Sequence, residues 1–339
     1  SVLLFLSLTK PVEDCSKDMR IKRVFLLALI PAAGFNFCAA IAQTDKEVEY
    51  YRNLNNRETR LIEYRDNEEA LLLKLKQLET INDSRRKFRV QPVKLDILAS
   101  RVANMMSREA AENGYISHWN LKGEKPYQRY AFAGGYDHVS ENAYGEWTTG
   151  SLDTSPAGIL SLMEKGHKSF MSEKAPADGH KRNITDKAHN YVGIGYHLTG
   201  NQFRYYEEFI NRYLEFPDVP SIANLNEEVR LRVDTRGESF LFFLVSYYEK
   251  FPSPLKPGQK PRQGSYEDFS GEAVHRIPAW ELARYRQGTS YEIPLTFSRE
   301  GLYYIQIYTD PREIRTPVKI STKGRPPVSG IVIKAAGRR

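Results

Sequence analysis

The side chains best suited to chemistry lie in four short stretches between residues 115 and 195. These stretches contain His118, Glu141, Glu173 and His180. Neutral imidazole nitrogens and carboxylate oxygens are good ligands for a divalent ion, and two carboxylates would balance its charge. The same carboxylates could act as a general base towards a bound water, or the four groups could pair as imidazolium and carboxylate without metal. The residue types therefore leave metal binding, base catalysis and a structural polar network open.

Several common catalytic arrangements do not occur in the sequence. It has no H-E-x-x-H helix of a zinc protease and no G-x-S-x-G turn of an α/β-hydrolase. Both cysteines, Cys15 and Cys38, precede the cleavage point predicted below, so the mature chain has no thiol nucleophile. His167 follows Glu164 by three residues and shares its helix face. That pair is either an auxiliary ligand set or an ordinary surface, helix-stabilising pair.

The first 42 residues have the pattern of an export signal. A basic segment follows Met19, an apolar run covers Val24–Pro31, and Ala40-Ile41-Ala42 fits the small-x-small rule for cleavage before Gln43. The apolar run is too short for a stable membrane span. We therefore assign residues 1–42 to an upstream segment and a signal peptide, and we expect a secreted, periplasmic or cell-envelope protein with no stable membrane span after cleavage.

Hydrophobic periodicity predicts the elements that must position these side chains. The predicted elements are helices over 44–88, 93–113 and 156–174, a loop over 115–158, a short helical turn over 179–184 capped by Asp178, and a hairpin over 191–198 and 202–210. Residues 43–74 are predicted to be a helical extension in front of the first domain.

Composition changes at the proline-containing segment 216–220. Strand-like runs then cover 229–233, 239–247 and 302–308, and a long exposed loop is expected over Pro252–Gly264. Short strands at this spacing predict an immunoglobulin-like β-sandwich over residues 222–339, of unknown role.

The overall charge points to no particular polymer as a partner. The 339 residues carry 49 basic and 42 acidic side chains, so nearly every positive charge can be balanced. No long block of like charge occurs, and a nucleic-acid partner is not expected. With 41% hydrophobic residues, the chain has the balance of an ordinary globular protein.

The order of the short motifs resembles the CAP superfamily, which comprises cysteine-rich secretory proteins, antigen 5 and pathogenesis-related 1 proteins. The motifs are Ile81-Asn82-Asp83-Ser84-Arg85, His118, Gly123, Lys125-Pro126-Tyr127, Arg129-Tyr130, Glu141-Asn142, Gly179-His180, Asn183-Ile184 and Val192-Gly193-Ile194-Gly195. They cover about residues 75–212 and are most similar to the bacterial subtype. We therefore place a CAP domain at residues 75–215 of an α+β chain.

The resemblance implies an α-β-α sandwich with a cleft that contains a His/Glu/Glu/His tetrad. His118, Glu141 and His180 match three of the four positions, and Glu173 is preferred to Glu164 for the fourth. Ser140 departs from the glycine that commonly precedes the Glu-Asn pair, which bears on backbone geometry. With two histidines as direct ligands and the carboxylates reaching through water, a divalent metal, zinc in particular, would be weakly bound.

Three functions stay open on the sequence. The first is a secreted, non-enzymatic module whose metal-binding cleft holds a lipid, a peptide or an envelope component. The second is a metal-assisted hydrolase in which Glu141 or Glu173 is the catalytic base. The third is a structural envelope protein with a vestigial site. The family resemblance favours the first, because its members share the fold rather than one reaction.

Overall fold

The computed structural model describes residues 33–266 and 272–337, with side chains from Asp45 onward. The described residues from Lys46 onward form one compact unit. The apolar run of the predicted signal lies outside the described residues, and the predicted cleavage point after Ala42 falls within the first helix. Among the helices the structure describes, none is long and apolar enough to cross a membrane.

Seven helices and thirteen strands make up the described chain. The helices are α1 (Ala33–Arg57), α2 (Glu68–Lys87), α3 (Ile97–Glu112), α4 (Pro126–Phe132), α5 (Pro156–Met171), α6 (Gly179–Thr185) and α7 (Ala279–Leu282). The strands are β1 (Lys94–Leu95), β2 (His138–Trp147), β3 (Tyr191–Thr199), β4 (Gln202–Asn211), β5 (Glu215–Asp218), β6 (Ile222–Asn224), β7 (Glu228–Asp234), β8 (Phe240–Glu249), β9 (Ala273–Pro278), β10 (Arg286–Gln287), β11 (Ser290–Thr296), β12 (Gly301–Asp310) and β13 (Ile331–Ala336).

The first half of the molecule is a four-stranded sheet between two layers of helices. The strand order is β1-β3-β4-β2, so β2 is an edge strand. Alternate residues of β4 face opposite layers: Tyr205 packs with α2 and α5, whereas Tyr206 packs with α3. Because both faces of β4 are buried, nearly all of its side chains are either apolar or paired with other groups of the protein. The α+β class predicted from the sequence is confirmed.

Two sequence-based expectations about local structure are wrong. The predicted helix over 44–88 is two helices, because α1 ends at Arg57 and α2 begins only after Asn67. The Asn67 side chain accepts the Ala70 N–H at 2.8 Å and caps α2. The predicted loop over 115–158 contains α4 and the ten-residue strand β2. Glycines and polar residues concealed β2, whose pairing with β4 stabilises it from outside its own sequence.

The second half contains two sheets that share one apolar core. Their orders are β10-β11-β7-β5 and β6-β13-β12-β8-β9, mostly antiparallel. Leu231 and Ile293 of the first sheet lie in the same buried cluster as Leu244 and Ile305 of the second. The immunoglobulin-like topology stays a prediction.

The two halves are joined by buried contacts as well as by the chain. Tyr127 of α4 stacks on Tyr304 of β12 with ring centroids 4.1 Å apart. Glu249 at the end of β8 accepts hydrogen bonds from Tyr127 and, at 2.7 Å, from the side-chain amide of Gln128. The β-sheet half therefore reaches the face that carries α4 and the loop of His118.

Candidate functional site

The four candidate side chains converge around the edge strand β2. Glu141 lies on β2, and His118 lies in the loop between α3 and α4. Glu173 follows the end of α5, and His180 lies in the first turn of α6. The two imidazole rings have centroids 6.4 Å apart, although 62 positions separate His118 from His180 in the chain. The edge strand β2 thus brings the pair His118–Glu141 close to the pair Glu173–His180.

The first pair is buried and held by an arginine. The Nδ1 atom of His118 lies 2.7 Å from Oε1 of Glu141, and the Glu141 side chain is fully buried. The other carboxylate oxygen accepts a hydrogen bond from Arg129, which is also buried. Arg129 donates in addition to the backbone oxygen of His118 at 2.7 Å. Arg129 therefore fixes both members of the pair.

The second pair is more open. The Nδ1 atom of His180 lies 2.5 Å from Oε1 of Glu173, and the two side chains are 32% and 24% exposed. Oε2 of Glu173 accepts the backbone N–H of His180 at 3.0 Å, so Glu173 caps the first turn of α6. Asp178 at the N-cap makes no such side-chain bond, contrary to expectation. Glu173, and not the exposed Glu164 on α5, is thus the carboxylate beside His180.

Two asparagines hold the second histidine near the first pair. The Asn142 side-chain amide donates to the backbone oxygen of His180 at 3.2 Å. Its oxygen accepts from the Asn183 side chain at 3.0 Å. Since Asn142 follows Glu141 on β2, these bonds connect α6 to the strand.

The donor set fits an open metal site better than a closed one. When Nδ1 of an imidazole donates to a carboxylate, Nε2 is the unprotonated nitrogen and has the lone pair that a metal requires. Both His118 and His180 are held in this way. Within residues 33–266 and 272–337 no three His, Cys, Asp or Glu side chains are arranged to hold an ion. Two imidazoles with water in the remaining positions would give exchangeable coordination.

A second buried carboxyl group lies beside Glu141, and the sequence analysis missed it. Glu208 of β4 is directly opposite Glu141 of β2 and is fully buried. Burial, and then the neighbouring Glu141 carboxylate, raise the pKa of Glu208 well above its ordinary value. Burial therefore favours the neutral form of the Glu208 carboxyl group. The alternation of β4 would have revealed it once β2 was recognised as its partner strand.

On the other face of the sheet, His167 belongs to a polar network that is connected to the site through Glu207, which accepts from the Asn142 side chain at 2.9 Å. Its Nε2 lies 2.8 Å from the Ser84 hydroxyl and its Nδ1 lies 3.3 Å from Glu207. His167 is buried and does not pair with Glu164, so the surface interpretation of that pair is wrong. Although the order Ser–His–Glu is that of a hydrolytic triad, Ser84 lies inside α2, where backbone N–H groups are used by the helix. The network instead connects α2, α5 and β4.

Comparison with known proteins identifies the family that part of the chain matches. Residues 78–209 match the model of the family described as CAP, the cysteine-rich secretory protein family. No curated protein matches the chain.

Three solved structures are similar to about two fifths of the chain. An outer surface protein from Borrelia burgdorferi is 16% identical, with 41% of this chain and 92% of that chain covered and a TM-score of 0.33. An extracellular protein containing an SCP domain from Bacillus anthracis is 17% identical, with 41% and 40% covered and a TM-score of 0.31. A cysteine-rich secretory protein from Staphylococcus aureus is 15% identical, with 41% and 38% covered and a TM-score of 0.25. The match to the family model identifies residues 78–209 of this chain as a CAP domain.

Proposed function

We propose that this chain is an exported CAP-domain protein whose cleft binds a divalent cation, zinc in particular, and serves as a non-enzymatic binding module. The observation that supports it is the pairing of each imidazole with its own carboxylate through Nδ1, with the two rings 6.4 Å apart. His118 and His180 would be the direct ligands through Nε2. Glu141 and Glu173 would orient the rings and raise their basicity.

The state of the carboxylates favours binding over hydrolysis. One oxygen of Glu141 accepts from His118 and the other from Arg129, so a fixed cation already neutralises this group. A general base needs a carboxylate oxygen that can reach a water, and fixed donors already occupy both oxygens of Glu141. Glu173 likewise accepts from His180 through both of its oxygens. The hydrolase alternative therefore has weaker support.

Export agrees with the family's description as secretory. The predicted signal peptide would direct the chain out of the cytoplasm, and a lipid, a peptide or an envelope component would be the partner of the cleft.

Calorimetric titration with zinc tests the metal site. The mature chain should bind zinc weakly, and His118→Ala combined with His180→Ala should abolish the heat of binding while circular dichroism stays unchanged. His197→Ala is the matched control, since it removes a half-exposed histidine of β3 away from the cleft. Zinc binding that survives in the folded double variant would refute the assignment.

Turnover measurements separate binding from hydrolysis. Peptide, ester and glycan libraries are incubated with the mature chain, with and without chelator. We expect no turnover. Activity that both the chelator and Glu141→Gln remove would replace the binding function with the hydrolytic one.

A further inference from the structure

The loop between β8 and β9 runs along the candidate cleft. Residues 253–266 of this loop, here called the strap, lie beside residues 116–123, which include His118. The backbone N–H of Leu255 donates to the oxygen of Leu121 at 2.8 Å. Nearer the other end of the strap, the side-chain amide of Gln263 donates to the oxygen of Ile116 at 2.6 Å. The strap therefore follows the His118 loop in the opposite chain direction.

Further contacts show how closely the two segments fit. The hydroxyl of Ser117 donates to the backbone oxygen of Arg262 at 2.5 Å, and the Arg262 guanidinium lies 4.7 Å from the ring centroid of Trp119. Gly123 has a φ of +78°, and a Cβ at this position would lie 2.7 Å from the backbone oxygen of Ser253. A side chain at 123 would thus push the strap away.

The strap ends on the tetrad itself. The ring of Tyr266 lies 4.7 Å from the His118 ring, and its hydroxyl accepts the backbone N–H of Glu141 at 2.6 Å. Because β2 is an edge strand, this N–H points out of the sheet towards the cleft. Tyr266 is only 7% exposed. Its phenol therefore covers one side of the cleft and satisfies a backbone donor there.

We infer that the groove beside His118 is a binding surface for an extended, proline-containing polypeptide with a tyrosine at its end, and that the strap is its occupant in this chain. Three prolines in residues 253–266 restrict the backbone before binding, which lowers the entropy lost when the segment is ordered. The backbone and side-chain bonds along 116–121 hold the segment, and the tyrosine supplies the contact at the tetrad. While the strap is in place, His118 is shielded and any outside ligand must displace Tyr266.

The first test measures access to the cleft. It concerns the same cleft as the proposed function but uses metal-free protein with chelator, so failure of zinc binding and failure of this inference are distinguishable. Tyr266→Ala should raise the rate of His118 modification by diethyl pyrocarbonate at least tenfold and leave the His180 rate within twofold. Tyr266→Phe keeps the ring, so it should leave His118 slow and speed hydrogen exchange of the Glu141 amide. Tyr248→Ala, which removes a tyrosine that contacts the Glu300 backbone, is the control and should change neither.

The second test measures recognition in trans. When residues 253–266 are replaced by fourteen glycine and serine residues, diethyl pyrocarbonate should modify His118 rapidly. A synthetic peptide of residues 253–266 should slow that modification saturably, and the same peptide with Tyr266→Ala should bind at least tenfold more weakly. An unchanged His118 rate in Tyr266→Ala, or a peptide without effect on the folded replacement variant, would overturn the inference.

Discussion

Glu141 and Glu208 face each other across β2 and β4 with both side chains fully buried, and one arginine, Arg129, lies against both. Two carboxylates at this spacing in a low-dielectric interior cannot both ionise beside a single cation. Glu141 has the closer contact with Arg129 and also accepts from His118. Glu208 lies 3.8 Å from Arg129 and has its pKa raised well above the ordinary value by burial. The pair therefore consists of one anion and one neutral acid.

This assignment predicts losses of stability of different size when either glutamate is replaced by glutamine. Glu208→Gln exchanges a neutral acid for a neutral amide of the same shape, so the free energy of unfolding at pH 7 should change by no more than about 1 kcal/mol. Glu141→Gln removes the anion in closer contact with Arg129, leaves only the more distant Glu208 to balance it, and should cost about 3–5 kcal/mol. Urea denaturation of both variants at pH 7 measures the difference. Equal losses of stability would contradict the assignment of the negative charge to Glu141 and of the proton to Glu208.

A buried histidine should make stability depend on pH. His189 donates from Nδ1 to the Asn211 side chain at 2.7 Å, and burial lowers its pKa from 6.5 to about 4. Below pH 6.5 His189 is therefore protonated in the unfolded chain but stays neutral in the native state. The free energy of unfolding consequently falls as the pH falls towards 4. His189→Gln keeps a donor for Asn211 and removes this titration. The free energy of unfolding of this variant minus that of the native chain should increase by about 2–3 kcal/mol when the pH is lowered from 7 to 4.5. Denaturation curves at both pH values test this, and a constant difference would contradict it.

Glu249 should couple the two halves of the molecule. It is buried and accepts from Tyr127, from Gln128 at 2.7 Å and from Lys125 at 3.3 Å. Glu249→Ala leaves these donors without their anion, so we expect a loss of about 3–5 kcal/mol in the free energy of unfolding. Glu272→Ala, which removes an exposed partner of Arg299, is the control and should change little.

Thermal unfolding should stay a single transition in the native chain, because a buried cluster contains Tyr130 together with Leu302. Two separate transitions would show that the halves unfold independently.

The sequence predicted α3, α5 and the hairpin because their signals are local. Periodic apolar residues mark α3, and the turn between β3 and β4 lies between two alternating runs. The strand β2 was missed because its stability comes from β4, which follows it by more than fifty residues. The four candidate side chains were found through the order of family motifs, since nothing in their spacing reveals that α5, α6 and β2 meet.

The roles of Glu208 and Tyr266 depend on tertiary contacts that no local pattern contains. Glu208 becomes a neutral acid only when β2 places Glu141 opposite it. The strap was expected to be an exposed loop, and most of its side chains are exposed, but Tyr266 is buried on the cleft. Proline and lysine content indicates a loop and gives no information about the surface along which the loop lies.

Gly195 tests the close packing that positions the sheet under α3. A Cβ at Gly195 would overlap the carbonyl carbon of Ala103, which is helix backbone and cannot rotate aside. Gly195→Ala must therefore push α3 off β3, and we expect a loss at the upper end of about 1–3 kcal/mol in the free energy of unfolding. Gly179→Ala is the matched control, because no atom lies within 4 Å of its added Cβ. It should change stability by less than about 0.5 kcal/mol. Chemical denaturation measures the stability of the two variants. Equal stability would contradict the close contact between β3 and the backbone of α3.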